Sequence, residues 1–137
     1  MPEFTPYPVE LITPEGIVFS GDAERVVVPG AAGELGILAN HAPLISLLQP
    51  GETRVTDAEG NLRRYATDDG FVQVRKNQAL VLVGEAVDAE SIDASDANRR
   101  LEEARAALER ANDGDGDVYA ARREVGFAEA LVKTAAG

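Results

Sequence analysis

Asp113, Asp115 and Asp117 stand at alternate positions in the run Asn112-Asp113-Gly114-Asp115-Gly116-Asp117, and Glu124 falls twelfth when Asp113 is counted first. With that spacing an EF-hand loop offers carboxylates to calcium, ending in a bidentate glutamate. The sixth place, which needs glycine for a sharp bend, holds Val118 here. Residues from Val118 onward also repeat with a helical period, so the run reads as a solvated turn rather than a metal site. His41 is the only histidine. A lone imidazole builds no metal centre without converging carboxylates, and no nucleophile stands near it in sequence. On residue chemistry alone it is a structural or surface side chain. The stretch Gly30-Ala31-Ala32-Gly33-Glu34-Leu35-Gly36 lacks the Gly-Lys-Ser/Thr ending of a phosphate loop and leads into a strand pattern instead of a helix. No nucleophile, base and orienting group stand out together, and nothing calls for a metal or a cofactor.

The chain that carries these residues is 137 long and 45% hydrophobic, enough for one core with a small appendage. Only 5% is aromatic and tryptophan is absent, so the core must be aliphatic. Acidic side chains number 24 against 13 basic, a formal charge of -11 spread along the chain. Such a field repels phosphates and argues against nucleic acid as a partner; its natural role is solubility. Without cysteine there is neither a disulfide nor a thiolate metal site, which suits a reducing compartment. The start, Met1-Pro2-Glu3-Phe4-Thr5-Pro6, has the features of neither a signal nor a transit peptide. No run of 18 apolar residues occurs, so the expectation is a cytosolic protein with no direct membrane insertion.

Up to about Val87 the pattern is that of strands, short apolar stretches each closed by Gly, Pro, Asn or Asp. Val9 to Ile12, Ile17 to Phe19, Arg25 to Val28, Leu35 to Leu38 and Leu44 to Leu48 are of this kind. Phe71-Val72-Gln73-Val74-Arg75 alternates with period two, as a half-exposed strand does. Ala79-Leu80-Val81-Leu82-Val83 is apolar throughout, which predicts a strand covered on both faces. Many short strands with no helix between them predict an antiparallel sandwich or barrel.

From about Asp93 the period changes. Ala97, Leu101, Ala104, Leu108 and Ala111 share one helical face, and after the aspartate-rich turn so do Val118, Ala121, Val125, Ala128 and Val132. Asp93 is placed to cap the first helix. The prediction is a β domain over residues 1–88 and a two-helix domain over 89–137, with helices at about 93–111 and 118–134. An alanine seam buries little area, and Gly126 costs about 1 kcal/mol against alanine within a helix, so the hairpin is expected to be weakly held.

The wording of the chain is more specific than its periods. Val9-Glu10-Leu11-Ile12-Thr13-Pro14-Glu15-Gly16 is followed by Phe19-Ser20-Gly21, Val28-Pro29-Gly30 and Gly33-Glu34-Leu35-Gly36-Ile37-Leu38. His41-Ala42-Pro43-Leu44, Pro50-Gly51, Gly70-Phe71 with Val74, and Ile92-Asp93 complete the set. In content and spacing this resembles the epsilon subunits of bacterial F-type ATP synthases, over residues 9–111 by wording and beyond them by helix pattern.

The resemblance implies a ten-stranded β-sandwich with a C-terminal α-helical hairpin, set at the foot of a rotor on the cytoplasmic side of the bacterial cell membrane. There the sandwich binds the gamma subunit and rests on the c-ring, which it touches through Glu34 and His41; for His41, packing remains the other reading. The hairpin lies folded on the sandwich or extends along gamma into the alpha/beta catalytic head. In the extended state, basic residues of its second helix approach the beta subunits and oppose ATP hydrolysis. The cations available are Arg122, Arg123 and Lys133, with Glu124 and Glu129 interspersed. They support a modest brake, against the plainer reading that the arginines solvate a helix.

Two departures follow from the same resemblance. Some relatives bind ATP through Ile or Leu, Asp, two variable residues, Arg and Ala. This chain has Ile92, Asp93 and Ala97, but Asp96 at the arginine position, where its charge repels phosphate. ATP sensing is therefore expected to be absent or weak. Asp69-Gly70 replaces a common Gly-Gly pair, so the strand start is expected to tolerate less positive φ. The competing reading is a ligand-binding sandwich, which needs an aromatic and polar pocket. Three tyrosines and four phenylalanines scattered along the chain give it little support.

Overall fold

The computed structural model describes residues 4–137; the stretch Met1-Pro2-Glu3, read above for targeting signals, lies outside them. Alternating side chains lay down nine strands: β1 (Tyr7–Thr13), β2 (Gly16–Gly30), β3 (Gly33–Ile37), β4 (Leu44–Leu48), β5 (Gly51–Asp57), β6 (Leu62–Thr67), β7 (Gly70–Arg75), β8 (Gln78–Val83) and β9 (Ala86–Asp88). A single 3-10 turn at Ala89–Ser91 leads to α1 (Ala94–Asn112) and α2 (Val118–Ala136). The fold is mainly β, an antiparallel sandwich followed by a helical hairpin.

One layer runs β4-β7-β8-β1 into the first half of β2; the other runs from the second half of β2 through β5 and β6 to β9. β3 lies beside β2 as an edge of the second layer. All pairings are antiparallel except β1 with β8. Leu11, Val26, Val28, Ile37, Val55 and Val81 are fully buried between the layers, the aliphatic core that the composition requires. Tyr7 bridges the layers: its buried hydroxyl donates to the Ile37 carbonyl at 2.6 Å, and burial pushes its pKa well above the ordinary value, so it stays a donor.

Several expectations change here. Ile17 to Phe19 and Arg25 to Val28 are not separate strands. Gly21 and Asp22 stay paired with Val9 and Pro8, and β2 passes from one layer to the other through an irregularity between Ala23 and Arg25. That continuity makes nine strands of the expected ten. β8 is not covered on both faces: Ala79, Val81 and Val83 are buried, whereas Leu80 and Leu82 are half-exposed, because among the described residues no element packs over that face. β5 and β6 had no apolar signature. Their inward positions include Thr53 and Thr67, both fully buried, whose hydroxyls meet at 2.8 Å.

Gly70 is needed for room rather than for positive φ. A Cβ there would lie 1.9 Å from the Leu82 carbonyl oxygen. Asp69, before it, is not among the residues of positive φ.

The helices begin where their caps are. Asp93 accepts from Asp96 N at 3.0 Å, and Asp117 accepts from Tyr119 N and Ala120 N. The hairpin lies folded on the outer face of β5 and β6. The second helix therefore buries two faces. Val125, Ala128 and Val132 meet Leu101 and Ala104 of α1, as the periodicity predicts. Phe127, Ala130 and Leu131 pack with Ala66 of β6. Burial of a phenylalanine side chain contributes about 1.5–3 kcal/mol, so attachment is firmer than the alanine seam alone indicates. Gly126 serves the same docking: a Cβ there would lie 3.1 Å from Pro50 Cγ in the β4–β5 turn.

Candidate functional site

Glu34 and His41 lie near opposite ends of β3. Ile37 lies three residue steps along the strand from Glu34, about 10 Å at the usual rise, and His41 follows in the loop to β4. They occupy one edge of the sandwich, not one pocket. His41 is half-buried, and its Nδ1 is 2.7 Å from the Ala42 carbonyl oxygen. The loop holds its shape through Asn40, at φ 62, whose N–H donates to Asn77 Oδ1 at 2.6 Å.

Glu34 points outward from β3 with 59% of its side chain exposed, yet it is not free. Arg54 of β5 grips it with two hydrogen bonds, Nη1 to Oε2 at 3.0 Å and Nη2 to Oε1 at 3.2 Å. Those bonds and the guanidinium charge hold the carboxyl below its usual range. Arg54 is placed directly across β5–β6 from Arg64, a pairing of like charges. Glu52 relieves it by accepting from both: Arg54 Nη1 at 3.3 Å, Arg64 Nε at 3.1 Å and Arg64 Nη2 at 2.6 Å. None of Arg54, Glu52 and Arg64 was singled out by the sequence. Their roles depend on strand register, which apolar periodicity does not report.

The cations of α2 differ in their surroundings. Arg123 Nη2 donates to Asp69 Oδ1 at 3.0 Å, and Arg123 also lies over the Tyr119 ring, 5.9 Å from its centroid. Arg122 is exposed. Lys133 is exposed at the rim of a cleft of about 540 Å³ between α2 and the sandwich, which Glu34, Arg54 and Glu129 also line.

Ile92, Asp93, Asp96 and Ala97 have structural uses. Ile92 packs beside the Phe127 cluster, Asp93 caps α1, Asp96 accepts from Arg99 Nη2 at 2.6 Å, and Ala97 is buried. Arg100 brings a cation to the same groove. Its Nε is 2.7 Å from Glu124 Oε1, its Nη2 is 3.8 Å from Glu85 Oε1, and it stacks on Phe127. Glu124 is thus turned toward Arg100, and Asp117 toward the N–H groups it caps.

The outer face of the first layer carries a row of uncovered apolar side chains. Leu47, Phe71, Leu82, Ile12 and Ile17 are successive partners across β4, β7, β8, β1 and β2. They form a row about 19 Å wide at the usual strand spacing. Leu47 is 71% exposed and Ile45, beside the row, 72%. A contiguous patch of this kind marks a site of association. Alternation revealed the apolar positions, but not that this face lacks a cover.

Residues 7–89 match the family model described as "ATP synthase, Delta/Epsilon chain, beta-sandwich domain". The ATP synthase epsilon chain of Persephonella marina is 45% identical over 103 residues, covering 75% of this chain and 76% of that one. That of Campylobacter fetus is 39% identical over 108 residues, covering 79% and 84%. Among solved structures, a chain of the Euglena gracilis mitochondrial ATP synthase (OSCP/F1/c-ring, rotational state 1) superposes with a TM-score of 0.78. At 23% identity, over 96% of this chain and 87% of that one, it attests the fold.

Proposed function

The chain belongs to the delta/epsilon family of ATP synthase subunits, and from that premise we propose that it couples the gamma subunit to the c-ring in a bacterial, proton-translocating F-type synthase. In this reading it is a non-catalytic part of the central stalk, peripheral to the membrane on the cytoplasmic side. No described helix is long and apolar enough to cross a membrane. The work divides between a coupling sandwich, residues 1–88, and a regulatory hairpin, residues 89–137.

The observation that carries the reading is the asymmetry of the sandwich. One outer face is covered by the folded hairpin, and the other presents the row from Leu47 to Ile17 to solvent. We assign that row to gamma. A rigid sheet loses little conformational entropy on docking, as a torque-bearing joint requires. The β3 edge, with Glu34 and His41, is then the side turned to the c-ring. The fork from Arg54 fixes the direction of Glu34, which supports a contact role for it.

The hairpin is a modest brake. In the folded state Arg123 is held on Asp69; on extension Arg122, Arg123 and Lys133 become available to acidic surfaces of the catalytic head. ATP does not stabilise the folded state appreciably, since Arg100 is already matched by Glu124 and Glu85 while Asp93 and Asp96 face any phosphate with like charge. Truncation after Glu90 tests the brake. ATP hydrolysis by the assembled enzyme should rise, and an unchanged rate would remove the regulatory half of the reading. Saturable ATP binding by the isolated chain at low millimolar concentration would contradict the nucleotide half.

A further inference from the structure

The side chains that fix Glu34 do not stop at Arg54. Arg54 Nη1 is shared between Glu34 Oε2 and Glu52 Oε1, and Glu52 Oε2 accepts from Arg64. Arg64 Nη2 in turn donates to the Thr134 carbonyl oxygen at 2.8 Å. Thr134 lies in the last turn of α2, where carbonyl groups lack helical donors and carry the negative end of the helix dipole. Four side chains thus join the β3 edge to the end of the docked helix without a break. Among the described residues, the sandwich makes two side-chain hydrogen bonds to α2, this one and that between Arg123 and Asp69.

We propose that Arg54 positions Glu34 and that, through Glu52 and Arg64, the state of Glu34 controls how firmly the end of α2 is docked. The sign follows from who shares with whom. While Glu34 occupies Arg54, Glu52 is left to Arg64 and holds its guanidinium toward Thr134. When a partner draws Glu34 away, Arg54 turns wholly to Glu52 and competes with Arg64 for it. Arg64 then loses its anchor, and the Thr134 contact weakens. Linkage makes the effect reciprocal: a docked hairpin favours the Glu34–Arg54 fork and disfavours any partner that opens it. Arg54, Glu52 and Arg64 are only 23–30% exposed at the side chain, so solvent screens the chain less than it would a surface pair.

The consequence for the motor rests on the reading of Glu34 as a c-ring contact: the foot of the rotor reports to the brake. The linkage itself concerns the isolated chain, so the two can fail separately. Hydrogen exchange on the full-length chain tests it. Glu34→Gln should speed exchange of the α2 amides about two- to fivefold, the span of a partly screened ion-pair network. Amides of β1 and β8 should be unchanged. In an Arg64→Met background, which already lacks the link, adding Glu34→Gln should change α2 exchange no further. Unchanged α2 exchange in Glu34→Gln would overturn the proposal. So would an effect that persists undiminished with Arg64→Met, or one that spreads equally to β1 and β8. Attachment of the chain to c-rings, measured separately, tests the contact role of Glu34 whatever the exchange shows.

Discussion

Arg123 Nη2 lies 3.0 Å from Asp69 Oδ1, so α2 is pinned to the turn before β7 by a cation that the proposed brake needs elsewhere. In the proposed brake, the folded hairpin and the extended one would compete for one guanidinium. The pair is partly exposed, 46% for Arg123 and 33% for Asp69, which limits it to about 0.2–1 kcal/mol. A clamp of that size biases a two-state element without locking it.

Arg123→Gln should separate the two uses. In the isolated chain it should raise exchange of the α2 amides about two- to fivefold. In the assembled enzyme it should relieve inhibition of ATP hydrolysis, because the released helix no longer carries the cation. Faster exchange with undiminished inhibition would assign the braking charge to other residues.

Gly126→Leu should dislodge the hairpin while leaving it helical. The backbone approaches Pro50 closely enough that a Cβ would already lie 3.1 Å from the ring. Overpacking of this kind costs about 1–3 kcal/mol, whereas leucine gains up to about 1 kcal/mol of helix propensity. Circular dichroism should keep its helical signal as proteolysis or exchange within α2 quickens. A hairpin as protected as in the native chain would contradict this account of docking.

The strands that escaped sequence reading, β5 and β6, offer a third test. Thr67 Oγ1 also donates to the Gly51 carbonyl at 3.3 Å, so Thr53 is the donor in the threonine pair. Thr67→Val strands the Thr53 hydroxyl in the core and should cost about 1–3 kcal/mol in denaturant unfolding. Thr53→Val leaves Thr67 its carbonyl and should cost less than about 1 kcal/mol. Equal losses would mean the donor order is wrong.

Asp68 carries a pH prediction. Burial holds its carboxyl above the ordinary range; the Asp69 N–H that donates to it offsets part of this rise, and the Asp69 charge adds a smaller one. A raised folded-state value means the charged form destabilises the fold at neutral pH. That cost fades as pH falls through the raised value, and is gone near the ordinary unfolded value of about 3.9. Asp68→Asn keeps the acceptor for Asp69 N. It should raise Tm by roughly 1–3 °C at pH 7 and by less near pH 4. A lower Tm at pH 7 would show that the charge is stabilising.

Glu34→Lys should weaken attachment to the c-ring with little loss of stability, within about 1 kcal/mol for so exposed a pair. The readout is proton pumping coupled to ATP hydrolysis in reassembled membranes. Unchanged coupling would remove Glu34 from the contact.

The fold class was legible because two periods, 2 and 3.6, divide the chain near residue 88 and each has its own packing consequence. What stayed hidden has a common cause. Thr53 and Thr67 look polar in sequence yet are buried as a satisfied pair. The break expected at Gly21-Asp22 never forms, because pairing partners lie on both sides of the bend. Phe127 falls between the alanine stripe and the polar face, so a single-face reading of α2 missed its contact with Ala66. Alternation also marks which residues share a face without saying what covers it; hence the exposure of the Leu47–Ile17 row is a property of the folded chain that its sequence pattern does not carry. Glu34 and His41 came from the resemblance alone, since a carboxylate and an imidazole seven residues apart define no chemistry by themselves.

The central claim is that the uncovered sheet face docks on gamma. The most direct measurement is light scattering after size exclusion on this chain mixed with the gamma subunit of its own organism. The account predicts a one-to-one complex that Leu47→Glu weakens. Two separate peaks, with both proteins shown to be folded, would contradict it.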